Sequence, residues 1–272
     1  MPTSRRSLGR RPTSADLSAR RPSGDSPAPP QFPRSRAYDL AWVLQNQMGL
    51  NALWLTEWLC QEMVLQPGMR VLDVGCGKGL SSIFLAREYG VQVWATDLWI
   101  PATDNLLRIE EAGLSDRVFP IHADARSLPF AEAFFDAAVR VDAYIYFGTD
   151  DLYLEYLHKF VRPTGQIGIV VPGFMQELRG PLPEHLKPFW AQECWTWHTV
   201  EWWRQLWSRT ELVRVLRADS LPDGWEVWLQ WKKARQAAGD DSPGLASDLR
   251  VLESDGGRYM GFHRMIAEVL PG

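Results

Sequence analysis

The nine residues Val71-Leu72-Asp73-Val74-Gly75-Cys76-Gly77-Lys78-Gly79 constrain this chain more than any other stretch. An apolar run leads into Asp73, and glycines follow at three alternate positions. Leu80, Ile83, Phe84 and Arg87 then recur at helical spacing. The pattern reads as a buried strand, a glycine turn and a helix start. Glycine lets a backbone turn sharply and lets a ligand lie against bare N–H groups. Two common nucleotide sites do not fit. In the dinucleotide pattern G-x-G-x-x-G the third glycine comes one residue later, and the P-loop ending Gly-Lys-Ser/Thr is absent.

The downstream chain supplies acids at strand ends. Val91 to Asp97 reads as a second strand ending in a carboxylate, about 20 residues past the turn, where doubly wound folds hold ribose hydroxyls. Val118 to Asp124 reads as a third strand, again ending in an acid. Leu128-Pro129-Phe130 and Phe134-Phe135-Asp136 lead into a fourth. The string D-x-G-x-G-x-G with these landmarks resembles the class I S-adenosylmethionine (SAM)-dependent methyltransferases of small-molecule type, near the ubiquinone-biosynthesis and cyclopropane-synthase groups. The resemblance implies SAM as cofactor and S-adenosylhomocysteine as its product. It places Asp73, Gly75, Cys76, Gly77 and Gly79 at the cofactor, Asp97 with Leu98 at the ribose, Asp124 and Ala125 at the adenine, and Val141 at the end of strand four.

The alternation of strands and helices from 69 to 172 predicts a parallel sheet. The resemblance extends this to a Rossmann-like α/β fold of seven strands, order 3-2-1-4-5-7-6, strand seven antiparallel and helices on both faces. Strand four is expected over 137–147, a helix over 224–238, a loop over 239–249 and the last strand over 258–268. Helices are expected within 37–65, a segment that in such enzymes often closes over the cofactor. The methyltransferase domain is expected to run from 37 to 272.

Charge is unevenly spread. Residues 1–36 hold eight arginines and two aspartates, or +6; a net charge of −4 leaves −10 for the remainder. This leader, rich in Arg, Pro and Ser, lacks the apolar residues that would offset ordering, so it is expected to be a disordered tail. The acidic body argues against nucleic acid as substrate. No apolar run is long enough for a stable membrane span. Three cysteines without metal spacing suggest a reducing cytoplasm and no metal site.

Methyl transfer from a sulfonium is an in-line displacement that needs the nucleophile about 3 Å from the methyl carbon. Open α/β sheets bind ligands beyond the carboxyl ends of their strands. Asp142, Tyr144 and Tyr146 leave strand four two residues apart, so a persisting strand puts them on one face. Residues 173–210 form an insertion with six of the fourteen tryptophans. The resemblance reads it as a substrate lid, and the bland alternative is cap packing. His198, its one histidine within the aromatic stretch, joins Asp142, Tyr144 and Tyr146 as a candidate catalytic group. Tyr38 and Glu57 are weaker candidates. These residues point to a small, partly apolar or cationic acceptor. A cyclopropane-synthase-like enzyme acting on a lipid chain, and a SAM-binding module without turnover, stay open as alternatives.

Overall fold

A seven-stranded sheet forms the centre of the computed structural model, which describes residues 28–150 and 152–272. The strands are β1 (Arg70–Val74), β2 (Gln92–Asp97), β3 (Val118–His122), β4 (Phe135–Val141), β5 (Val161–Phe174), β6 (Val213–Ser220) and β7 (Met260–Val269). Their order is β3-β2-β1-β4-β5-β7-β6. The first five pair in parallel, and β7 runs antiparallel between β5 and β6. This is the expected fold. The central strands β1 and β4 are buried along nearly their whole length, as continuous apolar runs between helical layers require.

The helices are α1 (Leu40–Asn46), α2 (Ala52–Cys60), α3 (Leu80–Tyr89), α4 (Ala102–Glu111), α5 (Tyr153–His158), α6 (Val200–Ser208), α7 (Gly224–Ala237) and α8 (Leu245–Asp255). Helix α8 takes half of the expected 239–249 loop. Its Leu245, Leu249 and Leu252 are buried, and Lys232–Asp248 and Lys233–Glu253 ion pairs join it to α7. The glycine and proline at its start hide an amphipathic pattern that begins one residue later.

Two expectations change in ways that bear on the site. Strand β4 ends at Val141 instead of 147, because Asp142 adopts a left-handed backbone with φ +60°. The chain then coils into a 3-10 turn, Tyr144–Tyr146. The expected tail is also shorter than 1–36. Phe32 is fully buried and stacks on Trp54, with ring centroids 6.2 Å apart. The Glu57 carboxylate accepts from the Arg34 and Ser35 amides and the Ser35 hydroxyl at 2.6–2.9 Å. The buried Phe32 ring and the Glu57 carboxylate dock residues 28–36 together with Arg34, which donates to the Glu88 carbonyl. Residues 1–27 of the expected tail lie outside the described residues.

Candidate active site

The site begins with the glycine turn, held by backbone bonds to the end of β2. The amides of Gly75 and Cys76 donate to the Thr96 carbonyl at 2.8 and 3.0 Å. The Gly77 amide donates to Asp97 Oδ2 at 2.7 Å, and Asp97 Oδ1 accepts from the Trp99 and Ile100 amides. One carboxylate thus ties the turn after β1 to the loop after β2, with one Oδ2 lone pair still open. The Asn105 side chain donates to the Gly77 carbonyl at 2.9 Å from α4. Gly75 and Gly77 have φ of +76° and +55°. A Cβ on Gly75 would meet Ala143 Cβ at 2.4 Å, so the exit of β4 presses directly on the turn.

Around this turn lies an open cavity at the carboxyl ends of β1, β2 and β4. Gly75, Cys76, Gly77, Asp97, Leu98, Asp124, Ala125 and Val141 all line it, with Asp142 and Tyr146. Eight of the ten residues expected at a cofactor therefore share one wall system. Asp73 and Gly79 do not line it. Asp73 is buried behind the turn, where Oδ2 accepts from Ser81 and Ser82 hydroxyls at 2.6 Å each. Burial pushes its carboxyl up to about 6, against the pull of those hydroxyls. It braces the start of α3. Gly79 is the left-handed residue that opens α3.

The catalytic candidates divide. Asp142 turns inward at the end of β4, on the cavity wall beside the Leu50 backbone. It is shielded from bulk water while keeping accessible surface toward the cavity. Burial raises its carboxyl to about 7; Leu50 and the Lys232 charge act against this, and Glu193 adds to it. Tyr146 lines the cavity at its mouth and meets Trp99 edge-on, with ring centroids 5.3 Å apart. Tyr144 does not line it. The 3-10 turn after Asp142 sends Tyr144 into the core between Tyr153, Trp203 and Trp207. Strand alternation therefore fails here, because the strand ends at Val141, three residues before Tyr144.

His198 is likewise away from the cavity lining. Its ring stacks on Trp202 at 3.7 Å and its Nδ1 lies 3.6 Å from a Glu177 carboxylate oxygen. Burial lowers its pKa, against the pull of Glu177. Trp203 and Trp207 are fully buried, and Trp197 packs against Phe174, Phe189 and Trp228. Most of the aromatic insertion is cap packing. Glu57 and Tyr38 are also structural: Glu57 holds residues 34 and 35, and the Tyr38 hydroxyl donates to Glu88.

Several lining residues were not named from the sequence, although the segment 37–65 that holds the first of them was expected to close over the cofactor. The strap from Asn46 to Ala52 closes one side through Asn46, Met48, Leu50 and Ala52. Trp231 Nε1 donates to the Gly49 carbonyl at 3.0 Å, the Lys78 ammonium to the Gln45 carbonyl at 3.0 Å, and Arg108 to the Asn46 side chain. A Cβ on Gly77 would meet Met48 Sδ at 2.8 Å. Trp99, Arg126 and Phe147 complete the mouth. Only Trp99 had a sequence signal, its place two residues after Asp97.

Comparison with known proteins agrees with this geometry. Residues 71–165 match the Methyltransf_25 family, a methyltransferase domain. Methyltransferase GfsG of Streptomyces halstedii is 32% identical over 132 residues, 46% of either chain. The chain spans about half the length of such curated relatives, or less. Among solved structures, the [4+2]-cyclase SpnF superposes with a TM-score of 0.64 at 21% identity, over 84% of each chain. A geranyl diphosphate methyltransferase in complex with SAM does so with 0.64 at 18% identity, over 79% of this chain and 84% of that one. Residues 71–165 thus resemble a methyltransferase domain, and the sheet has the Rossmann-like strand order that the solved structures share. Among the described residues, no cluster of His, Cys, Asp and Glu could hold a metal ion, and no helix is long and apolar enough to cross a membrane.

Proposed function

We propose that the protein is a SAM-dependent methyltransferase acting on a small-molecule acceptor. The observation that carries this reading is the cavity in which Asp97, Asp124 and the bare glycine turn meet. The open Oδ2 lone pair of Asp97 suits a ribose hydroxyl, and the left-handed backbone of the neighbouring Gly77 favours a residue without a side chain. Asp124 and Ala125, which line the same cavity, would meet the adenine edge. SAM, when bound, supplies the electrophilic methyl group. The chain's own residues position it and shape the acceptor side, where Asp142 and Tyr146 stand.

Proton removal from the acceptor falls to Asp142, the one carboxylate of the lining beside the exit of β4. Burial holds its pKa near neutrality, where a general base works well. The acidic body fits a small substrate better than nucleic acid, and three free, buried cysteines fit a reducing cytoplasm.

Titration calorimetry with SAM, S-adenosylhomocysteine and NAD tests the cofactor. SAM and its product should bind and NAD should not. NAD binding without SAM binding would sink the proposal. Because the same fold serves a protein named as a cyclase, turnover needs its own readout. Formation of S-adenosylhomocysteine in the presence of an acceptor supplies it.

A further inference from the structure

The acceptor side of the cavity is short of positive charge. Among the described residues, Asp142 has no cationic side chain within ion-pair distance. Lys232, whose charge reaches it, is paired with Asp248 at 2.5 Å. Glu193, from the turn Gln192–Thr196, adds a second negative field at both Asp142 and Tyr146. A sheltered carboxylate without a partner is costly, and a bound cation removes that cost. Arg126 also lines the cavity, but its guanidinium donates to the Tyr146 carbonyl and lies 5.7 Å from the centre of the Phe147 ring.

The mouth adds an apolar seat. Trp99 is 63% exposed and Tyr146 46%, although the two rings pack edge to face. Exposed aromatic pairs at the rim of a cavity favour a flat or apolar body and cation–π contact.

We propose that the acceptor is an amphipathic amine, with its basic nitrogen at Asp142 and its apolar body against Trp99 and Tyr146. This rests on the methyltransferase reading above. The reaction balances without a further reagent. The ammonium gives one proton to the Asp142 carboxylate. The freed nitrogen lone pair forms the bond to the methyl carbon as the carbon–sulfur bond breaks, its electron pair staying on sulfur. The products are the N-methylated ammonium and S-adenosylhomocysteine, and Asp142 releases its proton to solvent.

Calorimetry at pH 8 on the full chain saturated with S-adenosylhomocysteine tests this, with 2-phenylethylamine, 2-phenylethanol and 3-phenylpropanoate as probes. The amine should bind about tenfold or more tightly than the alcohol or the acid, the size of a charge-assisted hydrogen bond. Asp142→Asn should bring the amine down to the alcohol's affinity while leaving S-adenosylhomocysteine within about threefold of wild type, a change under 1 kcal/mol. Tyr146→Ala should weaken amine and alcohol alike. Equal binding of the three probes, binding of none, or an amine preference that survives Asp142→Asn would overturn the inference. So would a loss of S-adenosylhomocysteine affinity in Asp142→Asn, which would place the carboxylate on the cofactor's own ammonium. Failure of S-adenosylhomocysteine to bind the wild type would instead overturn the cofactor reading on which this one stands.

Discussion

Single residues decide this site through backbone geometry as much as through chemistry. Gly77 has positive φ, and any Cβ would press on Met48. Gly77→Val should therefore abolish S-adenosylhomocysteine binding in calorimetry while circular dichroism shows a folded chain; full affinity in a folded variant would place the cofactor elsewhere. Asp97→Ala removes three backbone acceptor bonds as well as the ribose partner. Cofactor affinity should fall by about 1–3 kcal/mol, the loss for hydrogen bonds to a charged acceptor. Asp142 carries a prediction of opposite sign for stability. Its carboxyl is raised to about 7 by burial, so the folded state favours the protonated form. That contribution is fully present below the unfolded pKa of about 3.9 and is lost as pH rises through 7. Asp142→Asn keeps the side chain's size and tolerates the left-handed backbone. Its melting temperature should exceed that of wild type at pH 8, by about 2–4 °C per kcal/mol recovered, and the gain should shrink toward pH 5. A gain that grows on acidification would contradict the assignment.

At the scale of elements, two segments before β1 do more than the sequence suggests. Residues 28–36 dock through Phe32 and Glu57, so Phe32→Ala should cost about 3–5 kcal/mol in a denaturant titration, the usual range for a deeply buried Phe. A cost below about 1 kcal/mol, the range of surface positions, would show that the docking is superficial. The strap between α1 and α2 is held at Gly49 by Trp231 from α7, far away in sequence. Trp231→Phe keeps most of the aromatic volume and removes the N–H donor. Stopped-flow dissociation of S-adenosylhomocysteine should then quicken by several-fold, equivalent to about 1 kcal/mol; an unchanged off-rate would mean the strap is not a cofactor wall. The order of strands and helices from β1 to β5 was legible because each carries its own period and punctuation. The exit of β4 was not. Periodicity marks a face only while the strand lasts, and nothing in Val141-Asp142-Ala143 announces a left-handed residue. His198 failed for a related reason: sequence alone could not show that the aromatic stretch around it is not one helix, since α6 starts only at Val200.

Across the whole molecule, the parallel half of the sheet delivers the carboxyl ends of β1, β2 and β4 to one edge, and β7 closes the other half by antiparallel pairing with β5 and β6. The aromatic insertion then seals a flank of this sheet, with Trp203 and Trp207 filling the space above Tyr144. Trp203 and Trp207 pack against the turn after β4, and Glu193 adds negative charge at Asp142 and Tyr146. The expected residues of the glycine turn and strand ends gathered at this edge because parallel topology brings them there whatever the loops do. The resemblance pointed to the segment 37–65 that carries the strap, but which of its residues line the cavity, like Arg126 and Phe147, depends on tertiary packing and left no pattern in the sequence. The central claim is that the cavity at this edge holds SAM with its methyl group facing the exit of β4. A crystal structure with SAM or S-adenosylhomocysteine bound measures it directly. The ribose should meet Asp97, the adenine should lie at Asp124 and Ala125, and Asp142 or Tyr146 should stand within about 4 Å of the methyl position, direct or single-water reach. A cofactor bound outside this cavity, or one whose sulfur faces away from Asp142 and Tyr146, would contradict it.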